Sequence, residues 1–304
     1  MYISVIMPTF NKAKRLELVL YTLSKQSLSM DMFEVIVIDD GSSDCTCDVV
    51  SKYISASELN IKYVYQRNKG RAAARNKGIE AATGEVIIFL DDDRLVNADF
   101  LKHYSICFEK NNNPNLVALG ERKNLYISKY EERFEAIKTD FFMNPEILLK
   151  RAREEYFWSK VKKVFEIPQI SWISFATGNV CLYKKFLCDV GKFNESFTGW
   201  GLEDTELGYR LWKSKAKFIH KPEAVNFHIE HTRNPIERKE DETRNHNLFY
   251  ELHPELPVLC FRQFVYREIS LEEFTRRVCG EAQESEKSAE IFHMPEKSPS
   301  QISL

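Results

Sequence analysis

GRAAARNKGIEAATGEVIIFLDDD, residues 70–93, decides the fold. Small residues Ala72, Ala73 and Ala74, with Ile79 further on, spell a closely packed helix over Ala72–Ala82 that Gly84 stops. Val86–Leu90 is then an unbroken apolar run, the mark of a strand buried on both faces. It runs straight into Asp91, Asp92 and Asp93. Adjacent carboxylates at the end of a buried strand repel one another and cost stability unless a cation or other partner neutralises them. In an extended segment Asp91 and Asp93 point to the same side, where they can share a hard divalent ion with diphosphate oxygens. A solvated acidic turn is the competing account of the triplet taken alone.

Upstream, the same alternation of strand and helix recurs. Tyr2–Met7 reads as a strand broken by Pro8–Asn11, and Ala13–Ser24 as a helix with Leu16, Val19, Leu20 and Leu23 on one face. Glu34–Ile38 is a second strand ending in Asp39-Asp40-Gly41-Ser42-Ser43-Asp44, whose Ser and Asp residues suit the start of a helix over Cys45–Ile54. Ile61–Tyr65 adds a third strand. Strands alternating with helices predict an α/β fold, with a mostly parallel central sheet flanked by helices. Such sheets bind ligands at the carboxyl ends of their strands. The polar clusters after Met7, Ile38 and Leu90 all fall at that edge. A carboxylate of Asp39-Asp40 can accept a hydrogen bond from a base N–H or a ribose hydroxyl, although a turn with a helix cap explains the pair equally well. Arg71 and Arg75 suit donor phosphates or a base, or are simply exposed helix arginines.

The bulk properties narrow the class. The chain has 304 residues, 43% apolar and 29% charged, with a formal net charge of −2, so nothing global points to nucleic acid or a membrane surface as partner. Seven cysteines do not suggest a disulfide framework, and MYISVIMPTF lacks a basic leader, so a cytoplasmic protein is expected. No run of about 18 apolar residues is present to span a bilayer, while peripheral membrane contact stays open. Cys45 and Cys47 lack a second pair at zinc spacing and read as structural.

SVIMPTFNKAKRL, EVIVIDDGSSD and GRAAARNKGIEAATGEVIIFLDDD together resemble glycosyltransferase family 2, over the amino-terminal third of the chain. The resemblance implies the GT-A fold, a nucleotide-sugar donor and a divalent ion. It implies Thr9 and Phe10 against base and ribose, Asp40 on the uracil or ribose, and a base contact from Arg71 in preference to Arg75. Asp91 would face nucleotide and metal, Asp92 would border the donor, and Asp93 would be the direct ligand of Mn2+ or Mg2+.

FNESFTGWGLEDTELGYRLWKSKAKFIHKPEAVNFHIEH, residues 193–231, is the other informative stretch. Trp200-Gly201 sets an aromatic face beside a residue without a side chain, which suits stacking on a sugar. Glu203-Asp204 precedes a helix whose apolar positions are Leu207, Leu211 and Trp212, and helix capping by Asp204 competes with a catalytic role. The stretch resembles the carboxyl-terminal catalytic segment of β-1,4-galactosyltransferases and bacterial chondroitin-type polymerases. That resemblance makes Asp204 the base, Glu203 an acceptor-positioning group, Trp200-Gly201 the acceptor platform, and His231 and His228 metal ligands. His228 stands where the galactosyltransferases carry methionine, which bears on metal preference.

The whole is therefore expected to be an inverting, metal-dependent transferase moving a hexose or N-acetylhexosamine from a UDP-sugar to a saccharide or small-molecule hydroxyl. Nucleotidyl transfer is a rival, but PTFNKAKR lacks the glycine-rich phosphate loop that it needs; a non-catalytic sugar- or nucleotide-binding module is another. The expected layout is a catalytic domain over 1–240 (nucleotide-sugar half 1–95, acceptor half 96–240), a helical extension over 241–280 and a disordered tail over 281–304. Residues 120–169 read as a lid or acceptor-binding insertion with helices over Glu131–Ile137 and Pro145–Lys163. Within it, Tyr156–Phe165 reads as an amphipathic membrane- or acceptor-contacting helix, or as one packed on its own domain. Gly178-Asn179 is a candidate for close backbone approach to the donor sugar. Helices are expected around Leu248–Leu252 and Leu271–Val278.

Overall fold

The computed structural model describes residues 1–56, 59–127, 130–143, 150–230 and 235–280. A compact unit runs from Met1 to Phe249, and a second begins at Tyr250. Among its described residues the first holds a mixed sheet of nine strands: β1 (Ile3–Thr9), β2 (Phe33–Asp39), β3 (Ile61–Tyr65), β4 (Val86–Phe89), β5 (Arg94–Val96), β6 (Leu116–Leu125), β7 (Ala152–Glu154), β8 (Val180–Tyr183) and β9 (Lys217–Ile229). Their order is β3-β2-β1-β4-β8-β6-β9-β5, with β7 on β6. The first four are mutually parallel. β8 then enters antiparallel between β4 and β6, so the expected parallel half continues into a mixed one.

Burial explains why these strands form. All seven residues of β2 and all four of β4 are buried, because helices α1 (Ala13–Ser24), α2 (Thr46–Ser55), α3 (Arg71–Ala81) and α4 (Phe100–Lys110) accompany the sheet as crossover elements. β1 continues through Pro8, where the sequence suggests a break. The Ile6 carbonyl accepts from Leu90 on the β4 side, and Pro8 faces the same way two residues on, beyond the last paired residues Ile6 and Phe89. A missing N–H there breaks no ladder bond.

At the opposite edge of the sheet, Glu34 is buried and its Oε1 accepts from Ser4 Oγ (2.6 Å), Thr83 N (2.7 Å) and Thr83 Oγ1 (2.7 Å). Burial pushes this carboxyl up, but those bonds outweigh it and hold it below the usual range. Glu34→Ala strands three donors and is expected to cost about 2–3 kcal/mol in urea unfolding at pH 7. Because the folded-state carboxyl is the stronger acid, the wild-type advantage over Glu34→Ala is present above pH 4–5 and shrinks as pH falls, which unfolding at a series of pH values will show.

The middle of the chain departs from the sequence expectation. A helix forms over α5 (Phe134–Met143) rather than Glu131–Ile137. Of the helix expected over Pro145–Lys163, residues 145–149 lie outside the described residues, and the rest includes β7, α6 (Tyr156–Val161) and the start of a 3-10 turn over Lys162–Glu166. β6 supplies the reason: beyond the residues paired with β8, its Lys123–Leu125 stretch takes Ala152–Glu154 as an antiparallel partner, and tertiary pairing overrides local helical preference. Tyr156–Phe165 packs into its own fold, with Trp158, Val161 and Val164 buried and Phe165 stacked 5.5 Å from His220. No helix among the described residues is long and apolar enough to cross a membrane. No disulfide joins any of the seven cysteines.

Helix α7 (Lys184–Val190) leads to the segment before α8 (Glu203–Lys213), and α9 spans Pro235–Leu252. In the second unit α10 (Leu256–Val265), which the sequence reading did not foresee, precedes a helical stretch over 271–280, and Phe264 contacts Phe274 at 6.1 Å. The tail expected over 281–304 lies outside the described residues.

Candidate active site

The sheet order turns around between β1 and β4, and this switch point is where side chains and loop amides converge at the strand ends. Thr9 is buried at the end of β1, while Phe10 after it is 46% exposed, an aromatic face left open beside the site. After β2, Asp39 accepts from Ser42 N (2.7 Å) and Tyr63 Oη (2.6 Å). Asp40 accepts from Gln66 Nε2 (2.7 Å), Lys69 N (2.9 Å) and Gly70 N (2.9 Å). Asp40 therefore fixes the loop leading to α3. Neither caps α2 with its side chain.

The two arginines of the 70–93 stretch have opposite fates. Arg71 is exposed. Arg75 is buried and reaches Glu203 Oε1 at 2.8 Å and Asp91 Oδ1 at 3.2 Å, joining residues 128 positions apart in sequence. Burial works against its charge, but Glu203 first and Asp91 second outweigh it.

The acidic triplet is divided among partners. Asp91 lies 3.2 Å from Arg75 and 3.6 Å from Arg94. Burial disfavours its charge, yet those guanidiniums hold the carboxyl below the usual range. Burial raises Asp92, aided by Asp93 and opposed by Lys12. Asp93 is also buried, but Lys12 and His228 hold it well below the ordinary value. His228 Nε2 stands 3.6 Å from Asp93 Oδ2, its Nδ1 3.4 Å from Asn124 Oδ1. β5 and β9 create that approach, since Arg94 and His228 are register partners. Asp93 and His228 are a carboxylate and an imidazole of the kind that suits Mn2+. Among the described residues no third such side chain joins them, and His231 lies outside those residues.

Behind the triplet, Glu155 Oε2 is 3.2 Å from Arg94 and 3.8 Å from Arg122. Burial alone would raise Glu155, but Arg122 and Arg94 bring it down to about 2. Arg122 lies over the Trp158 ring at 4.6 Å, and its Nε and Nη2 are enclosed without a hydrogen-bond partner. Gly178 packs against this cluster: a Cβ there would lie 2.4 Å from Arg94 Nε.

The second stretch is held in an unusual backbone. Gly199 and Gly201 have φ of +72° and +91°, and Leu202, not a glycine, has φ +72° immediately before α8. Positive φ at a leucine stores strain that the surroundings must impose. Asp241 and Asn245 of α9 impose it: Trp200 N donates to Asp241 Oδ2 at 2.9 Å, and Asn245 Nδ2 donates to the Trp200 and Gly201 carbonyls at 3.2 and 2.8 Å. A Cβ on Gly199 would strike the Asp241 carboxyl at 2.3 Å, so only glycine fits. The half-buried Trp200 is thus presented on a fixed loop. Leu202 occupies the cap position, so Asp204 is not the helix cap. Asp204 Oδ1 accepts from Thr205 N at 2.7 Å, and its Oδ2 is 3.5 Å from Thr177 N. Burial, then the neighbouring Glu203 charge, push the Asp204 carboxyl up to about 6.

Residues 4–174 match the family described as Glycosyl transferase family 2, more than half of the chain. The chain belongs to glycosyl transferase family 2. Residues 163–242 also match the family described as N-terminal domain of galactosyltransferase, which covers the Trp200–His228 region of this family 2 chain. Validoxylamine A glucosyltransferase of Streptomyces hygroscopicus subsp. jinggangensis is 34% identical over 219 residues, 69% of this chain and 51% of that protein. Chondroitin synthase of Escherichia coli is 33% identical over 244 residues, 75% of this chain and 34% of that protein. The chain therefore spans about half of the first of these two relatives and about a third of the second. Among solved structures, residues 1–349 of S. aureus TarS in complex with UDP-GlcNAc superpose with a TM-score of 0.63 at 20% identity, over 92% of this chain and 80% of that one. The fold is accordingly GT-A.

In this family 2 chain the ion pairs bring Arg75, Asp91, Glu203 and the adjacent Asp204 into one cluster, and Lys12, Asp92, Asp93 and His228 into another beside it. Lys12, Arg94, Arg122 and Glu155 were not foreseen. Lys12 lies inside a quoted motif and Arg94 one step past another, so their positions carried a signal. Arg122 and Glu155 carried none, since they meet only through the pairing of β6 with β7 and β9.

Proposed function

We propose that the chain is an inverting, metal-dependent hexosyl- or N-acetylhexosaminyltransferase that takes its sugar from a UDP-sugar and gives it to a saccharide or small-molecule hydroxyl. One observation carries the reading: Arg75 ties Asp91 of the donor-side motif to Glu203, next to Asp204, so a donor-binding group and a base-bearing helix share one buried ion pair. Thr9, Phe10, Asp40, Asp91 and Asp92 border the nucleotide in this reading. Arg71 stays at the rim, and Arg75 organises the site from beneath.

Asp93 and His228 would hold the ion, with His231 following in sequence. A bound Mn2+ or Mg2+ supplies charge neutralisation for the departing diphosphate. Asp204 takes the proton from the acceptor hydroxyl as that oxygen attacks the anomeric carbon from the face opposite the diphosphate, which gives inversion. Glu203, anchored by Arg75, orients the acceptor. Trp200 and Gly201 offer the sugar a flat face. The relatives' names fit both acceptor classes: a small molecule for the validoxylamine enzyme and a polysaccharide for chondroitin synthase.

The test is to offer the purified protein UDP-glucose, UDP-galactose and their N-acetylhexosamine counterparts with Mn2+, and to follow UDP release and product mass. At least one donor is expected to be hydrolysed slowly without acceptor and consumed faster with one. Failure to bind or turn over any of them removes the reading.

A further inference from the structure

We propose that Lys12 is a tethered counter-ion of the acidic motif, which keeps free divalent ions off Asp93 and makes metal and nucleotide diphosphate enter the site as a pair. The proposal rests on the transferase reading only in taking Asp93 as a metal ligand.

The Lys12 ammonium lies 2.9 Å from Asp92 Oδ1 and 3.1 Å from Asp93 Oδ2, carboxylates whose side chains are 4% and 5% exposed. Buried carboxylates demand a cation, and this one is supplied by the chain itself. Its backbone is fixed from both sides. Asn11 has φ +52°, a left-handed conformation that asparagine tolerates, and it is pinned to the loop after β2: its N–H donates to Ser42 Oγ at 2.9 Å, and its Oδ1 accepts from Ser43 N at 2.8 Å. On the other side Ala13 N donates to Asp44 Oδ2 at 3.0 Å, and the Lys12 carbonyl accepts from Arg15 and Leu16 N at the start of α1. Only the side-chain torsions of Lys12 are left to move.

A metal reaching Asp93 must displace that ammonium. Two protein donors, Asp93 and His228, are a weak lure for a free ion on their own. A nucleotide diphosphate changes the balance in two ways: its oxygens add ligands to the ion, and its negative charge offers the ammonium a second partner. Asp92 keeps the lysine beside the motif during the exchange. The consequence is positive coupling between Mn2+ and UDP, which by linkage is equal in both directions.

The experiment titrates Mn2+ into the full chain with and without UDP and follows the electron paramagnetic resonance signal of free Mn2+, a readout independent of turnover. Lys12→Met keeps the aliphatic stem and is expected to bind Mn2+ without UDP at least tenfold tighter than wild type, with the UDP-dependent gain reduced by a similar factor. Lys14→Met removes the same charge from an exposed lysine paired with Glu131, and its Mn2+ affinity should stay within twofold of wild type. Lys12→Gln serves as the second variant if Lys12→Met does not fold. Unchanged or weaker Mn2+ binding in the folded Lys12 variant overturns the proposal, as does an equal gain in Lys14→Met. Absence of Mn2+ binding in every form, even with UDP, overturns the metal reading and this proposal together, whereas Mn2+ binding indifferent to Lys12 overturns this proposal alone.

Discussion

Asp204→Asn is expected to lower sugar transfer by about 10²–10⁴-fold while leaving UDP affinity within twofold, the size of effect that follows loss of a general base. The substitution keeps shape and an acceptor oxygen for Thr205 N but cannot take a proton. In the proposed function UDP binding draws on the strand ends of β1, β2 and β4, which the change does not touch. Asp204 is pushed up to about 6, first by burial and then by Glu203, so the wild-type rate should fall on the acid side with a midpoint near that value. Stability has the opposite dependence. A carboxyl whose folded-state pKa is raised favours the fold at low pH, and that contribution is lost as pH rises through about 6. Asp204→Asn should therefore be at least as stable as wild type at pH 8, with its advantage shrinking toward pH 4. Rate profiles and thermal melts over pH 4–8 check both. An Asn variant that retains turnover removes Asp204 from the base role.

Arg75→Met should be the most damaging single change to the fold near the site. It leaves Asp91 and Glu203 without the guanidinium that they share, and breaking a buried pair from one side costs about 3–5 kcal/mol. Urea unfolding measures the loss. Adding Glu203→Gln to Arg75→Met should recover part of it, because one of the stranded charges is then gone, and a double-mutant cycle gives the coupling. Arg75→Lys is not conservative here: one ammonium cannot reproduce a fork that reaches 2.8 Å to one carboxylate and 3.2 Å to another. Its loss of turnover should exceed its loss of stability. Full activity in Arg75→Lys would show that the bridge is not needed for catalysis.

The parallel half of the sheet was readable because each of its strands is announced locally. Val86–Leu90 is apolar throughout since helices cover both of its faces, and the polar residues that follow must lie at the ligand-binding edge of a parallel sheet. The same logic located Asp40, Asp91 and Asp93. It could not separate Arg71 from Arg75, which share a helix and differ in surroundings alone. Nor could it find β7, whose three residues are a strand only because β6 offers them an edge.

By itself the sequence determined the order of strands and helices in the first ninety residues, the edge at which polar groups collect, and the two stretches, 70–93 and 193–231, that carry the resemblance to transferases. Periodicity and turn residues are local properties, and these features depend on little else. Tertiary structure alone decided that Arg75 spans Asp91 and Glu203 and that Lys12 sits on Asp92 and Asp93. Those partners lie tens to more than a hundred positions apart. Burial makes an unpaired charge so costly that the fold must bring them together, and no local pattern records which pairs will meet.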